Sequence, residues 1–469
     1  MILAGNVITD AFKEPTAFQS ILIWANVALL LAIAIGLAIY VYGRRARAKT
    51  AQNLEPFFED DKLEGPKLER TLGIALMVAA IIAIAIPVYF AWEPHRQAAE
   101  ANGFIDRSVS RGAVLYANAQ MPQYNSAASL QCANCHGAVV KNEKTGKLEG
   151  AGGGVANYVV KPTRENCTAE EQQTDPACRT TTVAWKAPAL NTVLLKYPKD
   201  QVLNILVYGR PGSPMPAWGV AGGGSKNDQA LNDLVDFLYS IQLTPEQARA
   251  QTAANADIAS FIEGPANPTT GVRSGGVNDQ LKDAQANVAK AQAAIAAANT
   301  PAAKATAEQD LTFANAAVAH LQERKAKLEQ LAGDIASGDA DRATKAKGQL
   351  LFETNCARCH TRGWSYYTPG DGRIPLPAPE GSGAFGPSLT GNSTIVQFPD
   401  PKSMAKFVYE GAVLNKPYGV RGVGSGQMPG FGVVMTEEQI NQVVTYEREG
   451  LRFVTPVTPG YASLKGAAQ

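Results

Sequence analysis

Histidine is scarce in this chain, with four residues in 469, and cysteine is scarcely commoner, with six. A zinc ribbon wants four Cys or His ligands close together in the fold, so few such sites could be built from this stock. Charge of one sign is also missing. The formal net charge of +1 gives no electrostatic basis for binding nucleic acid. Aromatics make up 7% of the residues, too few to fill several cores by themselves. The sequence carries no nucleophile paired with a base, no acid–base pair and no phosphate loop, which argues against a hydrolase or a phosphotransferase. The first 17 residues have no basic n-region, so no cleavable secretory signal is expected.

What is present concentrates the scarce residues. Four of the six cysteines and two of the four histidines lie in Cys132-Ala133-Asn134-Cys135-His136 and Cys356-Ala357-Arg358-Cys359-His360. Both are C-x-x-C-H, the spacing of c-type haem attachment. Two thiols on one helical turn reach the two vinyl groups of one porphyrin and form thioethers. The adjoining histidine then ligates the iron. Paired zinc knuckles or redox thiols are the competing reading, and neither needs the histidine at that place. Sparse aromatics suit small haem domains, where the porphyrin supplies much of the core.

A second axial ligand is expected from a thioether, which is soft, neutral and favours ferrous iron. Met215 lies in the Gly/Pro-rich run 209–218 and Met428 in the run 424–431, each followed by proline and each just before a closing helical segment. Met121 and Met435 are rivals, but Met121 precedes its own motif and Met435 abuts the last helix. The remaining cysteines, Cys167 and Cys178, share a polar insertion and are expected to form a disulfide outside the cytoplasm.

Two uncharged runs, Phe18–Tyr42 and Thr71–Trp92, are long enough to span a bilayer. Pro87 is tolerable in such a span. The intervening loop, 43–70, holds Arg44, Arg45, Arg47, Lys49, Lys62, Lys67 and Arg70, against Lys13 alone in the N-terminal tail. Positive-inside reasoning places the loop in the cytoplasm and everything after Trp92 on the outer face. That is also where haem is attached covalently. His95 follows the second span and reads as an interfacial histidine, or less simply as a contact to a partner subunit or quinone region.

The expected organisation is all-α. After the N-terminal tail 1–17 and the transmembrane hairpin come a haem region at 103–245, a linker at 246–277, an antiparallel helical hairpin at 278–333, a second haem region at 340–455 and a polar tail, 456–469. Arg111–Tyr116 reads as the start of a helix. The hairpin follows from heptad-spaced Leu281, Ala284, Val288, Ala291, Ile295 and Ala298, the break at Thr300-Pro301, and the resumption at Leu311, Ala314, Val318, Leu321 and Leu328. It reads more simply as a solvated spacer than as a docking element, with His320 on its surface. Thr436, with Glu438 and Gln439 behind it, is expected to cap the closing helix.

Taken together, both regions resemble class I cytochrome c domains. The resemblance rests on the Gly348-Gln349-Leu350-Leu351-Phe352 run, the two C-x-x-C-H motifs, Gly386-Pro387-Ser388-Leu389, the Met-Pro loops and the aromatic-bearing last helices. It implies that first and last helices cross, with Gly112 against Phe237 or Tyr239 and Gly348 against Tyr446. The architecture also resembles membrane-anchored dihaem subunits of respiratory complexes. That implies two covalently bound haem c groups and an electron-transfer role rather than an enzyme. Implied partners are a cytochrome b-type quinol:cytochrome c reductase linked to a terminal oxidase or, as the runner-up, a cbb-type haem–copper oxidase. A dihaem peroxidase or dehydrogenase is the third reading, disfavoured because catalysis at haem needs an open ligand position.

Overall fold

A computed structural model describes residues 34–43 and 64–454, with short gaps at 143–146, 161–165, 169–170, 172–177, 179–180, 212, 267–270 and 375, and a few residues before 34. The chain divides into two units, 1–107 and 108–469.

In the first unit most of the expected span Phe18–Tyr42 and of the loop 43–70 lies outside the described residues. A helical piece, α1 (Ala34–Gly43), is apolar. Helix α2 (Pro66–Tyr116) runs 51 residues without a break and keeps Pro87 and Pro94 inside it. Among the described residues it alone is long and apolar enough to cross a membrane. Its large side chains from Leu72 to Phe90 are exposed on all faces, as expected of a helix whose solvent is lipid. No helix begins at Arg111. The helix runs on through Pro94, so the charged stretch after the span continues α2, whose turns from Ser108 onward belong to the second unit.

The second unit is mostly helical but not purely so. Helix α3 (Ala133–His136) carries the first motif. It leads to three two-stranded antiparallel ribbons in all, of which β1 (Val139–Lys141) with β2 (Leu148–Gly150), and β3 (Gly154–Val160) with β4 (Thr181–Ala187), fill the insertion after His136. The β3–β4 register runs from Gly154↔Ala187 to Val160↔Thr181. Cys167 and Cys178 are disulfide-bonded between these strands. Helices α4 (Val193–Lys196), α5 (Lys199–Tyr208) and α6 (Asp228–Ser240) complete the first region. Asn227 caps α6 by accepting from the Ala230 amide at 3.0 Å.

Residues 246–277, expected as a linker, contain α7 (Pro245–Asn255) and α8 (Ile258–Ile262). Thr244 and Gln247 form a capping box with Pro245 in the first turn, a start signal that outweighs the Ala/Thr-rich composition. Helices α9 (Val277–Ala297) and α10 (Pro301–Ala336) form the antiparallel hairpin, with Thr300 capping the second. Ala284, Ala291, Leu321 and Leu328 are buried in its seam.

The hairpin is more than a solvated spacer. Helix α11 (Ala340–Asn355) packs on it, and Leu350 joins Leu321, Leu328 and Leu331 in one core. Arg324 of α10 pairs with fully buried Glu353 of α11, and Lys327 reaches Glu380 at 2.9 Å. His320 is half-buried rather than on the surface. Helices α12 (Ala357–His360), α13 (Ser393–Gln397) and α14 (Pro401–Glu410) follow, then β5 (Pro417–Tyr418) with β6 (Gly422–Val423) and α15 (Glu437–Thr445). Thr436 caps α15 in a box with Gln439.

In each haem-motif region the first helix crosses the last at a glycine. A Cβ on Gly112 would lie 2.1 Å from the Asp233 carbonyl oxygen and 2.6 Å from Phe237 Cβ. One on Gly348 would lie 2.1 Å from the Gln442 carbonyl oxygen and 2.9 Å from Tyr446 Cβ. Phe237, not the exposed Tyr239, takes the aromatic place and packs against Tyr116, the tilted rings 5.1 Å apart. Tyr446 lies 5.6 Å from Phe352. Buried Asp233 clamps the first crossing by accepting from Nε and one terminal nitrogen of Arg111, at 2.6 and 2.7 Å, and from the Ser108 hydroxyl at 2.7 Å.

Candidate functional site

The two C-x-x-C-H motifs occupy equivalent local structures. Each forms a single helical turn, α3 and α12, which brings its paired cysteines to one side and its histidine to the end. The histidines are buried, and in each the ring Nδ1 lies 2.9 Å from a proline carbonyl: His136 on Pro188, His360 on Pro387. With the carbonyl as acceptor, Nδ1 must carry the proton. Nε2 then keeps its lone pair for a metal. Burial lowers both imidazole pKa values, opposed by the proline carbonyls, so both rings are held neutral.

Close approach is built into the backbone. A Cβ on Gly386 would come within 2.6 Å of His360 Cε1, so the chain lies flat against the imidazole. A Cβ on Gly154 would come within 2.5 Å of the Cys135 carbonyl oxygen. After each proline a leucine amide returns to the loop: Leu190 to the Ala151 carbonyl at 2.8 Å, Leu389 to the Gly381 carbonyl at 2.7 Å. Pro188 and Pro387 were not singled out from sequence as histidine partners. The shared Pro-x-Leu was the available signal, but the β3–β4 insertion places Pro188 52 residues from His136, against 27 for Pro387 and His360.

The methionine loops are framed by one hydrogen-bond pattern used twice. Helix α5 ends at Gly209 (φ 70°), and the next amide, Arg210, donates to the Met215 carbonyl at 3.1 Å. Helix α14 ends at Gly411 (φ 78°), and Ala412 donates to the Met428 carbonyl at 3.0 Å. The third residue after each methionine donates back to the helix, Trp218 to Leu206 at 2.9 Å and Phe431 to Val408 at 3.0 Å. Positive φ in both C-terminal glycines makes this reversal possible. Met215 and Met428 are half-buried beside their own cores, whereas Met121 and Met435 are buried within them as packing residues. His95, in α2, is exposed.

The two regions meet along a seam. Lys186, at the end of β4, donates its amide to the Ser365 carbonyl at 2.7 Å, and its ammonium lies 5.5 Å from the Trp364 ring. Trp185 packs on Tyr366 at 5.6 Å. Arg358, inside the second motif, donates to the Lys186 carbonyl. Tyr197 and Arg210 of the first region both reach Gln427, next to Met428. Leu195, beside Lys196, packs into the core of the second region. Burial lowers the Arg358 pKa and draws Lys186 and Lys196 down to about 8, Arg358 adding to the effect on both lysines.

Residues 343–446 match the family model described as cytochrome c oxidase, cbb3-type, subunit III. This stretch therefore carries a c-type cytochrome domain, which implies covalently bound haem c and electron transfer. It is consistent with membrane association and oxidase-type partners, as is the membrane-length helix α2. No curated protein and no solved structure matches the chain.

The residues present fit a haem. Each motif offers two thiols on one turn and an imidazole whose Nε2 is free by tautomer, and in the second the Gly386 backbone lies against the histidine ring. Among the described residues there is no group of three or more His, Cys, Asp or Glu placed to hold a bare metal ion, a donor set smaller than zinc ribbons use.

Proposed function

We propose that the chain is a membrane-anchored dihaem c-type cytochrome that carries electrons on the extracytoplasmic face. Cys132, Cys135 and His136 hold the first haem, with Met215 as its second axial ligand. Cys356, Cys359 and His360 hold the second, with Met428. The observation that carries this reading is the repetition of one site: a motif turn, a histidine on a proline carbonyl, and a helix-Gly-loop frame around a methionine. The family match covers the second copy, and the frame around His136 and Met215 supports extending it to the first.

Bound haem supplies the one-electron ferric/ferrous couple. The chain's own residues do the rest. Pro188 and Pro387 fix the histidine tautomers. The glycine-ended helices fix the methionine loops. The packed cores keep water off, which preserves both ligand sets. A denatured sample should keep its haem stain, with a mass two haems above the bare chain. A gain of one haem or none would reject the dihaem reading.

The partner is proposed as a quinol:cytochrome c reductase of cytochrome b type, with electrons passing on to a terminal oxidase. The matched family's own description favours a second reading, in which the chain is a subunit of a cbb-type haem–copper oxidase. Mild-detergent purification separates them: a cytochrome b subunit in near-stoichiometric amount supports the first, an oxidase subunit alone the second. Recovery of a partner-free protein that still shuttles electrons at full rate between separated complexes would rule out both.

A further inference from the structure

The seam between the two motif regions is crossed by positive charge in both directions. Arg358 belongs to the second motif, between Cys356 and Cys359, yet its guanidinium is tied to the first region through the Lys186 carbonyl. Lys186 lies just before Pro188, whose carbonyl holds the His136 ring. Lys196 belongs to the first region, at the end of α4, and its neighbour Tyr197 donates its hydroxyl to the Gln427 carbonyl, next to Met428 of the second. The neighbouring Leu195 is packed into the second core, which holds this segment against the seam. Among the described residues neither Arg358 nor Lys196 has a carboxylate at ion-pairing distance. Among the described residues the seam is a half-buried region whose two cations have no protein carboxylate at ion-pairing distance, placed between the two motif turns.

We infer that Arg358 and Lys196 are potential-setting residues that act across this seam, Arg358 on the haem of the first region as well as its own, and Lys196 on the haem of the second. Ferric haem carries one more positive charge than ferrous haem. A nearby cation in a half-buried, low-dielectric setting therefore penalises the ferric form and raises the reduction potential. Because each residue is anchored in one region and faces the other, the two potentials are coupled to the packing of the seam. Parting of the regions would lower both. The inference rests on the dihaem reading above and on the His136 and His360 assignments.

The test is a spectroelectrochemical titration of the detergent-solubilised full chain, after its mass has established the haem count. Arg358→Gln should lower both potentials, and Arg358→Lys, which keeps the charge, should restore most of the loss. Lys196→Gln, a change in the first region, should lower the potential of the second haem. The expected shifts reach about a tenfold change in the ferric:ferrous ratio at fixed potential, equivalent to about 59 mV for one electron. Adding Met428→His in the same background marks which wave belongs to the second haem. Should Arg358→Gln fail to mature, Lys196→Gln tests the crossing alone. A shift confined to the second haem in Arg358→Gln, or no shift of the second haem in Lys196→Gln, overturns the inference while leaving two haems in place. A mass gain of one haem overturns the dihaem reading first, and the inference with it.

Discussion

Gly348 is a position where the second region has no room for a single methyl group. Helix α11 crosses α15 there, and a Cβ would sit 2.1 Å from the Gln442 carbonyl oxygen, 2.7 Å from its carbonyl carbon and 2.9 Å from Tyr446 Cβ. Two of these atoms are backbone, so no side-chain rotation relieves the clash. The helices must separate by about an ångström. The separation also disturbs Tyr446, which packs on Phe352 and donates its hydroxyl to Glu380. Overpacking of a filled core costs about 1–3 kcal/mol, and a backbone clash of this depth belongs at the upper end. Alanine recovers about 0.8–1 kcal/mol of helix propensity over glycine, leaving a net loss of about 2 kcal/mol. For a region of this size that lowers the melting temperature by on the order of 10 °C. Gly333 is the control. It lies in α10, where a Cβ would meet nothing within 4 Å, so Gly333→Ala should be neutral or slightly stabilising. Thermal unfolding followed at the haem Soret band measures both. Gly348→Ala melting no lower than Gly333→Ala would refute the crossing argument.

Replacing Met428 with His should lower the potential of one haem, and replacing Met215 with His that of the other, because imidazole stabilises ferric iron better than a thioether does. An unchanged pair of potentials in either variant would remove that methionine from the ligand set. Glu447 is buried beside Cys356 and Tyr446, and burial raises its carboxyl pKa to about 8. A carboxyl raised on folding is held protonated in the folded chain while the unfolded chain releases its proton from about pH 4.5 upward. Stability is therefore full at low pH, declines between about 4.5 and 8, and is level above that, a total loss of several kcal/mol by order of magnitude. Glu447→Gln should flatten this decline in denaturant titrations across that range. An identical slope would show that Glu447 is not its source. Non-reducing peptide mapping should recover Cys167 and Cys178 in one linked fragment, and free thiols at both positions in exported protein would contradict the bond.

Sequence by itself determined the features that depend on local spacing. Two thiols and a histidine within five residues mark a candidate haem-attachment turn wherever the chain goes, because that chemistry is complete within one helical turn. The hairpin at 278–333 was readable from its heptad leucines and alanines, and its reversal from Thr300-Pro301, since capping and periodicity are local. The apolar stretch from Thr71 was readable for the same reason. Its helix extends much further than the apolarity does, to Tyr116, through Pro94, which the local pattern alone would have read as a stop.

Tertiary structure decided what depends on partners distant in sequence. The ribbons β1–β2 and β3–β4 occupy a polar insertion with no strong alternation, and only their pairing brings Pro188 back to His136 across 52 residues. Composition read 246–277 as a linker, while the capping box at Thr244 and the packing of Ala248 in the second core made helix of part of it. The hairpin's polar surface concealed Arg324, whose partner Glu353 lies on another helix and is fully buried. Arg358 is an unremarked residue between two cysteines in the sequence, and its reach to Lys186 exists only once the two regions have packed. A charge acts through space on whatever the fold places near it, and sequence order does not record that distance.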